Sequence, residues 1–213
     1  MSYMKSRLKL AAILAVIILA AGGVGFWILR DSPQSTTTQN PSNNSTQDSN
    51  NKNRPSSQAP QPATSDTADF TYQKPADWVN LPQKQLTASG ATNGITLPDS
   101  NTSSSTTPPP LASFTVKVSD ATPQNAADQK SATLSELQKL SNFELLSSTG
   151  TTVNGKSGQI FIYTFGNQDK TKQELRVVVN KQKTFFLLFS SAESNFSKYN
   201  ADFAKILSSF KFK

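Results

Sequence analysis

The last sixty or so residues carry the clearest hydrophobic pattern, which predicts three strands followed by a helix. The strands are predicted at residues 157–165, 174–179 and 184–190, and short polar turns join them. Asn154-Gly155 precedes the first strand and is a strong signal for a type I′ hairpin turn, because both central residues of that turn need positive φ. Short turns between neighbouring strands predict an antiparallel meander.

Both alternating sets of side chains in these strands are apolar. Phe185, Leu187 and Phe189 would share one face of the third strand, while Phe186 and Leu188 would share the other. A sheet with one face in water would carry polar residues at every second position, so we expect both faces to be covered. The second strand is more mixed, which favours a position at an edge of the sheet or partial exposure.

A helix is predicted to follow the third strand, over residues 193–208. Ser190 and Glu193 have the spacing of a capping box, in which Ser190 would cap the helix. Apolar side chains then recur every three or four residues, which predicts a buried stripe along one helix face. The members of the stripe are Phe196, Tyr199, Phe203, Ile206, Leu207 and Phe210.

The preceding residues predict further strands and a second helix. The strands are expected at 70–72, 94–98, 111–119 and 143–152. The helix is expected to begin at Thr122-Pro123, because Thr is a good N-cap and Pro fits the first helical position, and to reach about Leu140. Its predicted core residues are Ala127, Leu134, Leu137 and Leu140. Residues 99–110 are rich in Ser, Thr and Pro, which predicts a mobile surface loop.

These elements predict one domain over residues 69–213, of a common single-domain size. Because both sheet faces are apolar, helices must cover both of them. The predicted fold is therefore of the α+β class, with an antiparallel β-sheet flanked by helices on both faces in an α/β/α sandwich. Trp78 is expected to be buried in this domain, after Pro75 has ended the first strand.

An uncharged apolar run of 20 residues, 10–29, predicts a transmembrane helix near the start of the chain. Lys5, Arg7 and Lys9 precede it, which predicts a cytoplasmic segment at 1–9 and an extracytoplasmic location for everything after the helix. The alternative is a cleaved signal peptide ending near residues 20–23, but the apolar run continues beyond that point to Leu29. The expected localisation is therefore the cell membrane, with a single pass.

Residues 30–68 predict a disordered linker between the membrane helix and the domain. They consist mostly of Ser, Thr, Asn, Gln and Pro, and their only apolar side chains, prolines aside, are Ala59, Ala63 and Ala68. Such a segment cannot bury enough apolar surface to offset the entropy lost on ordering.

A series of short motifs runs through residues 69–213. They are Phe70-Thr71-Tyr72 with Pro75-Ala76-Asp77-Trp78, then Val153-Asn154-Gly155-Lys156, then Phe185-Phe186-Leu187-Leu188, and finally Ile206-Leu207-Ser208-Ser209-Phe210-Lys211. In this order and spacing they resemble the PsbP-like domain, which is similar in fold to the Mog-type nuclear-transport proteins. The resemblance implies a mostly non-catalytic accessory or extracytoplasmic protein, and it assigns no functional residue here.

The chain contains no His and no Cys. This composition excludes Ser-His-Asp and Cys-His catalysis, the usual zinc ligands, thiol redox chemistry and disulfides. The carboxylates are dispersed along the sequence and are expected as caps or solvated side chains. We therefore predict no enzyme activity, no metal and no cofactor, and a carboxylate-dependent hydrolase is the remaining enzymatic alternative.

The formal net charge is +7, and residues 70–213 hold fifteen Lys and Arg against ten Asp and Glu. Lys170, Lys172, Lys181 and Lys183 lie near the two ends of the second meander strand. They are the candidate binding residues for an anionic partner. The alternative is that they protect an edge strand from aggregation.

The sequence thus predicts a membrane-tethered, extracytoplasmic binding module that contacts an envelope protein or an anionic wall polymer. An assembly or structural accessory subunit of a membrane complex is the alternative. The external location makes nucleic acid an unsuitable partner, and the domain itself is expected to be a monomer.

Overall fold

The structure, a computed structural model, describes residues 63–99, 110–120 and 125–213. Its strands are β1 (Ala63–Asp66), β2 (Phe70–Lys74), β3 (Val79–Asn80), β4 (Asn93–Leu97), β5 (Ala112–Ser119), β6 (Glu144–Val153), β7 (Lys156–Phe165), β8 (Thr171–Asn180), β9 (Lys183–Ala192) and β10 (Lys211–Phe212). The helices are α1 (Gln83–Ser89), α2 (Ala126–Leu137) and α3 (Asn200–Ser209), and a 3₁₀ helix (Glu193–Tyr199) leads directly into α3.

The strands form two antiparallel sheets. The larger sheet has seven strands in the order β3-β4-β5-β9-β8-β7-β6, and the smaller has three in the order β1-β2-β10. Strands β6 to β9 follow one another along the chain and are neighbours in the sheet. Of these, β7, β8 and β9 are the predicted meander, and β6 is the strand predicted before it. This arrangement confirms the α+β class with an antiparallel sheet, whereas the smaller sheet was not predicted.

The β6–β7 hairpin has the turn that the sequence predicts. Asn154 and Gly155 have φ values of 45° and 75°, which a type I′ turn requires. Val153 therefore faces Lys156 directly, and the register continues from this pair into the sheet. The turn thus sets which side chains of both strands face each side of the sheet.

Each face of the larger sheet is covered by a separate hydrophobic cluster, as predicted from the two apolar sets of β9. Phe185, Leu187 and Phe189 belong to the cluster beneath the 3₁₀ helix and α3. Phe186 and Leu188 belong to the cluster beneath α2. The smaller sheet joins the first cluster through Phe70 and Tyr72 of β2. Trp78 is also buried there, as predicted, and its Nε1 donates to Asp202 Oδ2 at 3.2 Å.

The prediction of an edge position for the second meander strand is wrong. That strand is β8, which lies inside the sheet between β7 and β9, and the edge strand on this side is β6. Arg176 is the charged residue that suggested an edge, and it forms an ion pair with Glu174 of the same strand at 2.7 Å. The pairing lets both charges occupy an interior strand.

The predicted linker extends too far toward the domain. Ala63–Asp66 form β1, which pairs along β2 from Ala63↔Lys74 to Asp66↔Thr71, so the prediction of disorder is wrong for these residues. Asn93 Oδ1 accepts hydrogen bonds from Ser65 and Tyr72, which attaches β1 and β2 to β4. The ordered fold therefore begins before residue 69.

Three other predictions fall on residues that the structure does not describe. The transmembrane helix at 10–29 and linker residues 30–62 lie outside the described ranges, as do residues 100–109 of the predicted loop. Among the helices of residues 63–99, 110–120 and 125–213, none combines the length and hydropathy needed to cross a membrane.

Both predicted long helices differ from the sequence interpretation at their starts. β9 continues through Ser190 to Ala192, so Ser190 is not a cap, and the first turn after it is 3₁₀ without a side-chain cap. The Asn125 side chain caps α2 by accepting from the backbone N–H of Asp128 at 2.8 Å. Residues 122 and 123 lie outside the described ranges. Ala127 is exposed, contrary to prediction.

Candidate binding site at a lysine-rich turn

The four candidate lysines form two separate pairs. Lys170 and Lys172 lie at the start of β8, while Lys181 and Lys183 lie at the turn that follows its end. With a rise of about 3.4 Å per residue, Lys172 and Lys181 are roughly 30 Å apart along the strand. The four lysines therefore cannot form a single compact site.

The first pair makes contacts within the fold. Lys170 Nζ lies 3.1 Å from Glu144 Oε2, and this exposed ion pair links the start of β8 to β6. Lys172 Nζ lies 5.0 Å from the centroid of the ring of Phe196, a buried side chain of the 3₁₀ helix. Both lysines thus have structural roles that account for their charge.

The second pair lines an open cavity with a volume of about 520 Å³ at the β8–β9 turn. Asn180 and Lys183 face each other across this turn, and Lys181 and Gln182 are its two central residues. Three lysines surround the cavity, because β10 pairs with β2 and brings the last residue, Lys213, to the same place. The remaining lining residues are Ala68, Asp69 and the buried Phe185.

The carboxylates near the cavity neutralise two of its three lysines. Lys183 Nζ lies 2.6 Å from Asp69 Oδ1. Lys213 forms an ion pair with Asp66 and donates to the backbone carbonyl of Thr67 at 2.5 Å. Lys181 is exposed and forms no ion pair with any residue that the structure describes. Lys181 is therefore the uncompensated positive charge of this site.

The pairing also fixes the protonation state of Lys183. The hydrogen bond from Lys183 to Asp69 is the main cause that raises the pKa of the Lys183 ammonium, and the charges of Asp69 and Asp120 raise it further. Since the usual pKa of lysine is already about 10.4, this side chain stays positively charged throughout the neutral range.

Lys181 has an unusual backbone conformation for a lysine. Its φ is 54°, and the other described non-glycine residues with positive φ are Asn142 and Asn154. Asn tolerates this region because its short side chain bonds locally, whereas a left-handed conformation costs other residues about 1–2 kcal/mol. Such strain is concentrated at functional sites. Backbone preference does not account for a lysine here, and its exposed side chain leaves the charge accessible from solvent.

The chemistry open to this site is the binding of an anion. Within residues 63–99, 110–120 and 125–213 there is no group of three or more Asp or Glu side chains that could hold a metal ion. The buried carboxylates Glu136 and Glu174 are paired with Lys139 and Arg176. Asp69 is paired with Lys183 and Asp66 with Lys213, so the ammonium group of Lys181 is the charge of the cavity lining that an anion could pair with.

Sequence reasoning identified two of the three lysines of this cavity and missed the third. Lys181 and Lys183 are close in sequence, while Lys213 directly follows β10, a strand of two residues, at the C-terminal end of the domain. So short a strand has no periodic pattern. Only the pairing of β10 with β2 reveals that Lys213 belongs to the site.

Comparison with protein families gives one match that covers most of the chain. A family model described as PsbP matches residues 61–212. The match includes β1, which begins at Ala63, and β10, which ends at Phe212. A comparison with curated proteins finds no match.

The solved structures that match this chain come from several organisms. LpqN of Mycobacterium tuberculosis, described as involved in cell envelope biogenesis, is 17% identical with a TM-score of 0.49, and the alignment covers 72% of this chain and 91% of LpqN. Cyanobacterial PsbP (CyanoP) of Synechocystis sp. PCC 6803 is 16% identical with a TM-score of 0.49, over 74% and 95% of the two chains. The Ran-binding protein Mog1p of Saccharomyces cerevisiae is 10% identical with a TM-score of 0.43, over 71% and 96%.

Proposed function

The chain belongs to the PsbP family, and we propose that it is a non-catalytic binding module. In this proposal the module is tethered to the outer face of the cell membrane, and it binds an anionic partner at the β8–β9 turn. The partner in this proposal is an anionic wall polymer. The main support for this proposal is Lys181, which lines a cavity together with two other lysines. Its ammonium group is exposed, and its backbone has a strained positive φ.

The arrangement of charges around the cavity supports this proposal. Asp69 holds Lys183 at 2.6 Å, so the side chain is fixed in place before any partner arrives. A fixed ammonium loses less side-chain entropy on binding than a free one. An anionic group beside Lys181 would also lie near Lys183 and Lys213, but Asp69 and Asp66 already balance those two charges, so Lys181 supplies most of the attraction.

The membrane tether is the second part of the proposal, and it rests on the apolar run at 10–29 with its preceding lysines and arginine. Protease added to intact spheroplasts is expected to cut within residues 30–62 and to release a soluble fragment that contains the domain. Detection with an antibody against the C-terminal domain provides the readout. If the domain is degraded only after the cells are lysed, the proposed orientation is wrong.

Substitution of Lys181 by Gly is expected to weaken binding to anionic material without weakening the fold. One lysine near an anionic surface contributes about 1 kcal/mol, so the affinity should fall roughly fivefold. Glycine removes the strain at positive φ, so the free energy of unfolding should stay the same or rise by up to about 1 kcal/mol. The affinity is measured by sedimentation with purified cell wall at low and high salt, and the stability by urea unfolding.

The matched control is the double variant Lys170→Gln and Lys172→Gln, which removes twice the charge at the other end of β8. It should change the affinity by less than about twofold, because those lysines already have partners within the fold. Anionic and zwitterionic vesicles serve as parallel ligands that separate wall binding from lipid binding. Equal binding of wild type and Lys181→Gly, or equal losses in both variants, would exclude the cavity as the site.

The protein for these measurements is a fragment that starts at residue 61. β1 pairs with β2 from Ala63 onward, so a fragment that starts at residue 69 would lose a strand of the smaller sheet. Cooperative urea unfolding of the fragment is the condition for using it.

A further inference from the structure

Among the strands that the structure describes, β6 is the long edge strand of the larger sheet. The strand order ends at β6, and none of the described strands pairs with its outer side. β6 has 10 residues, whereas β3 at the opposite edge of the sheet has 2. A long free edge presents a row of unpaired backbone N–H and C=O groups to solvent.

The usual devices that prevent edge-to-edge pairing are missing from most of β6. Edge strands are commonly protected by lysines, prolines or bulges. β6 contains neither lysine nor proline, and its one charge is Glu144 at the first position. A bulge lies between Leu145 and Ser147, and residues 147–153 beyond it continue in regular register with β7. The candidate lysines that would have protected an edge lie around β8, which is an interior strand.

The hairpin register determines which backbone groups of β6 are free. In an antiparallel pair, opposed residues alternate between pairs that exchange hydrogen bonds and pairs that do not. The two-residue turn makes Val153 and Lys156 a bonded pair, so every second residue back from Val153 bonds to β7. The backbone groups of Ser148, Gly150 and Thr152 therefore point outward.

We propose that β6 pairs with β6 of a second copy of this chain, antiparallel and centred on Gly150. A two-fold axis at Gly150 places Ser148 of each copy opposite Thr152 of the other, and Gly150 opposite itself. These three pairs are the ones whose backbone groups point outward, so about six hydrogen bonds form across the axis. The two larger sheets then become one continuous sheet.

The side chains and charges of β6 fit this symmetric pairing. Thr149 faces Thr151 of the other copy on both sides of the axis, and Thr–Thr pairs across antiparallel strands are favourable. An added Cβ on Gly150 would have no heavy atom within 4 Å, so the centre of the strand is open to a neighbour. The same register brings exposed Glu144 of each copy, which also pairs with Lys170 of its own chain, to the turn that carries exposed Lys156 of the other copy, so opposite charges meet at both ends of the interface.

A second copy fits this edge better than an unrelated strand. One two-fold axis places small side chains opposite small side chains, outward-pointing backbone groups opposite each other, and opposite charges together at the ends. A symmetric interface of this kind uses the same patch on both subunits. The inference departs from the monomer expected from sequence. It is independent of the proposed binding function, since Lys181 lies at the β8–β9 turn and contributes nothing to β6.

Disulfide formation between single-cysteine variants tests the pairing, and the natural chain has no cysteine to interfere. In the full chain in detergent micelles, Gly150→Cys should form a covalent dimer on mild oxidation, because facing Cα atoms about 5.5 Å apart lie within the range that a disulfide spans. Thr152→Cys is the matched control, since the Cα atoms of its two copies would be roughly 15 Å apart. A mixture of Ser148→Cys with Thr152→Cys should form the heterodimer. The expected rate for Gly150→Cys is at least about tenfold above that of Thr152→Cys.

Charge at the axis provides a second test that does not depend on oxidation. Gly150→Lys places two ammonium groups face to face and should abolish the dimer seen by sedimentation equilibrium, while Gly150→Ser should retain it. At protein concentrations low enough that wild type is monomeric, both variants should unfold at the same urea concentration as wild type or a higher one, because the added side chain meets open space. Equal crosslinking rates at positions 150 and 152, or a full chain that stays monomeric at all concentrations, would overturn the proposal.

Discussion

Phe203→Ala is expected to lower the free energy of unfolding by about 3–5 kcal/mol, which is typical of a large aromatic side chain removed from a core. The Phe203 side chain lies in the middle of α3 and is 4% exposed. Its ring stacks on Phe189 with centroids 4.6 Å apart and an interplanar angle of 12°, and it contacts Phe114 at 5.8 Å. The substitution thus leaves a cavity between α3 and two strands of the larger sheet.

The control for this prediction is Lys205→Ala on the same helix. Lys205 is 73% exposed and forms a long ion pair with Asp202, at 3.5 Å. Surface substitutions of this kind change stability by about 0.5 kcal/mol or less. Urea unfolding measures both variants, and the slope with denaturant should stay unchanged. A loss below about 1 kcal/mol for Phe203→Ala would mean that α3 repacks around the missing ring.

The burial of Phe203 was predictable because it follows from spacing alone. Phe196, Phe203 and Ile206 are all buried, as their helical periodicity predicts. The local geometry was not predictable, since the first turns are 3₁₀ and begin only after β9 has run to Ala192. An apolar stripe reports which side chains enter a core, while the start of a helix depends on how far the preceding strand remains paired.

Helix α2 illustrates the opposite case, in which the buried face is not apolar. Gln129, Thr133 and Glu136 are each 4% exposed or less, and the exposed Ala127 is apolar. A pattern search assigns buried positions to apolar residues, so it cannot identify a helix face that buries polar ones. The buried end of α2 at Leu137 was predicted correctly because that residue is apolar.

The candidate site was predictable only in part, because a charge in the sequence does not reveal its neighbours. The lysine spacing around β8 correctly located Lys181 and Lys183 at one turn. It could not show that Lys170 reaches Glu144 of β6, or that Asp69 lies beside Lys183, since those partners are 26 and 114 residues away in sequence. Long-range strand pairing decides which lysines are compensated.

The same limitation explains the wrong edge assignment of β8, and it leads to the second large effect. Arg176 is held by three contacts on the face of the sheet beneath α3. Its Nε donates to Glu174 Oε1 at 2.7 Å, its Nη1 donates to Thr151 Oγ1 at 3.0 Å, and its guanidinium carbon lies 5.9 Å from the centroid of the Phe203 ring. The side chains of Arg176 and Glu174 are only 20% and 12% exposed.

Arg176→Met is expected to destabilise the domain by about 3 kcal/mol, because it leaves the carboxylate of Glu174 largely buried without its partner. The double variant Arg176→Met with Glu174→Leu removes both charges and should recover most of the loss, to within about 1 kcal/mol of wild type. Lys170→Met, which breaks the exposed pair with Glu144, is the control and should cost less than about 1 kcal/mol. The four proteins are compared by urea unfolding at the same pH. If the double variant is as unstable as Arg176→Met, the loss comes from the contacts of Arg176 with Thr151 and Phe203 rather than from an unpaired charge.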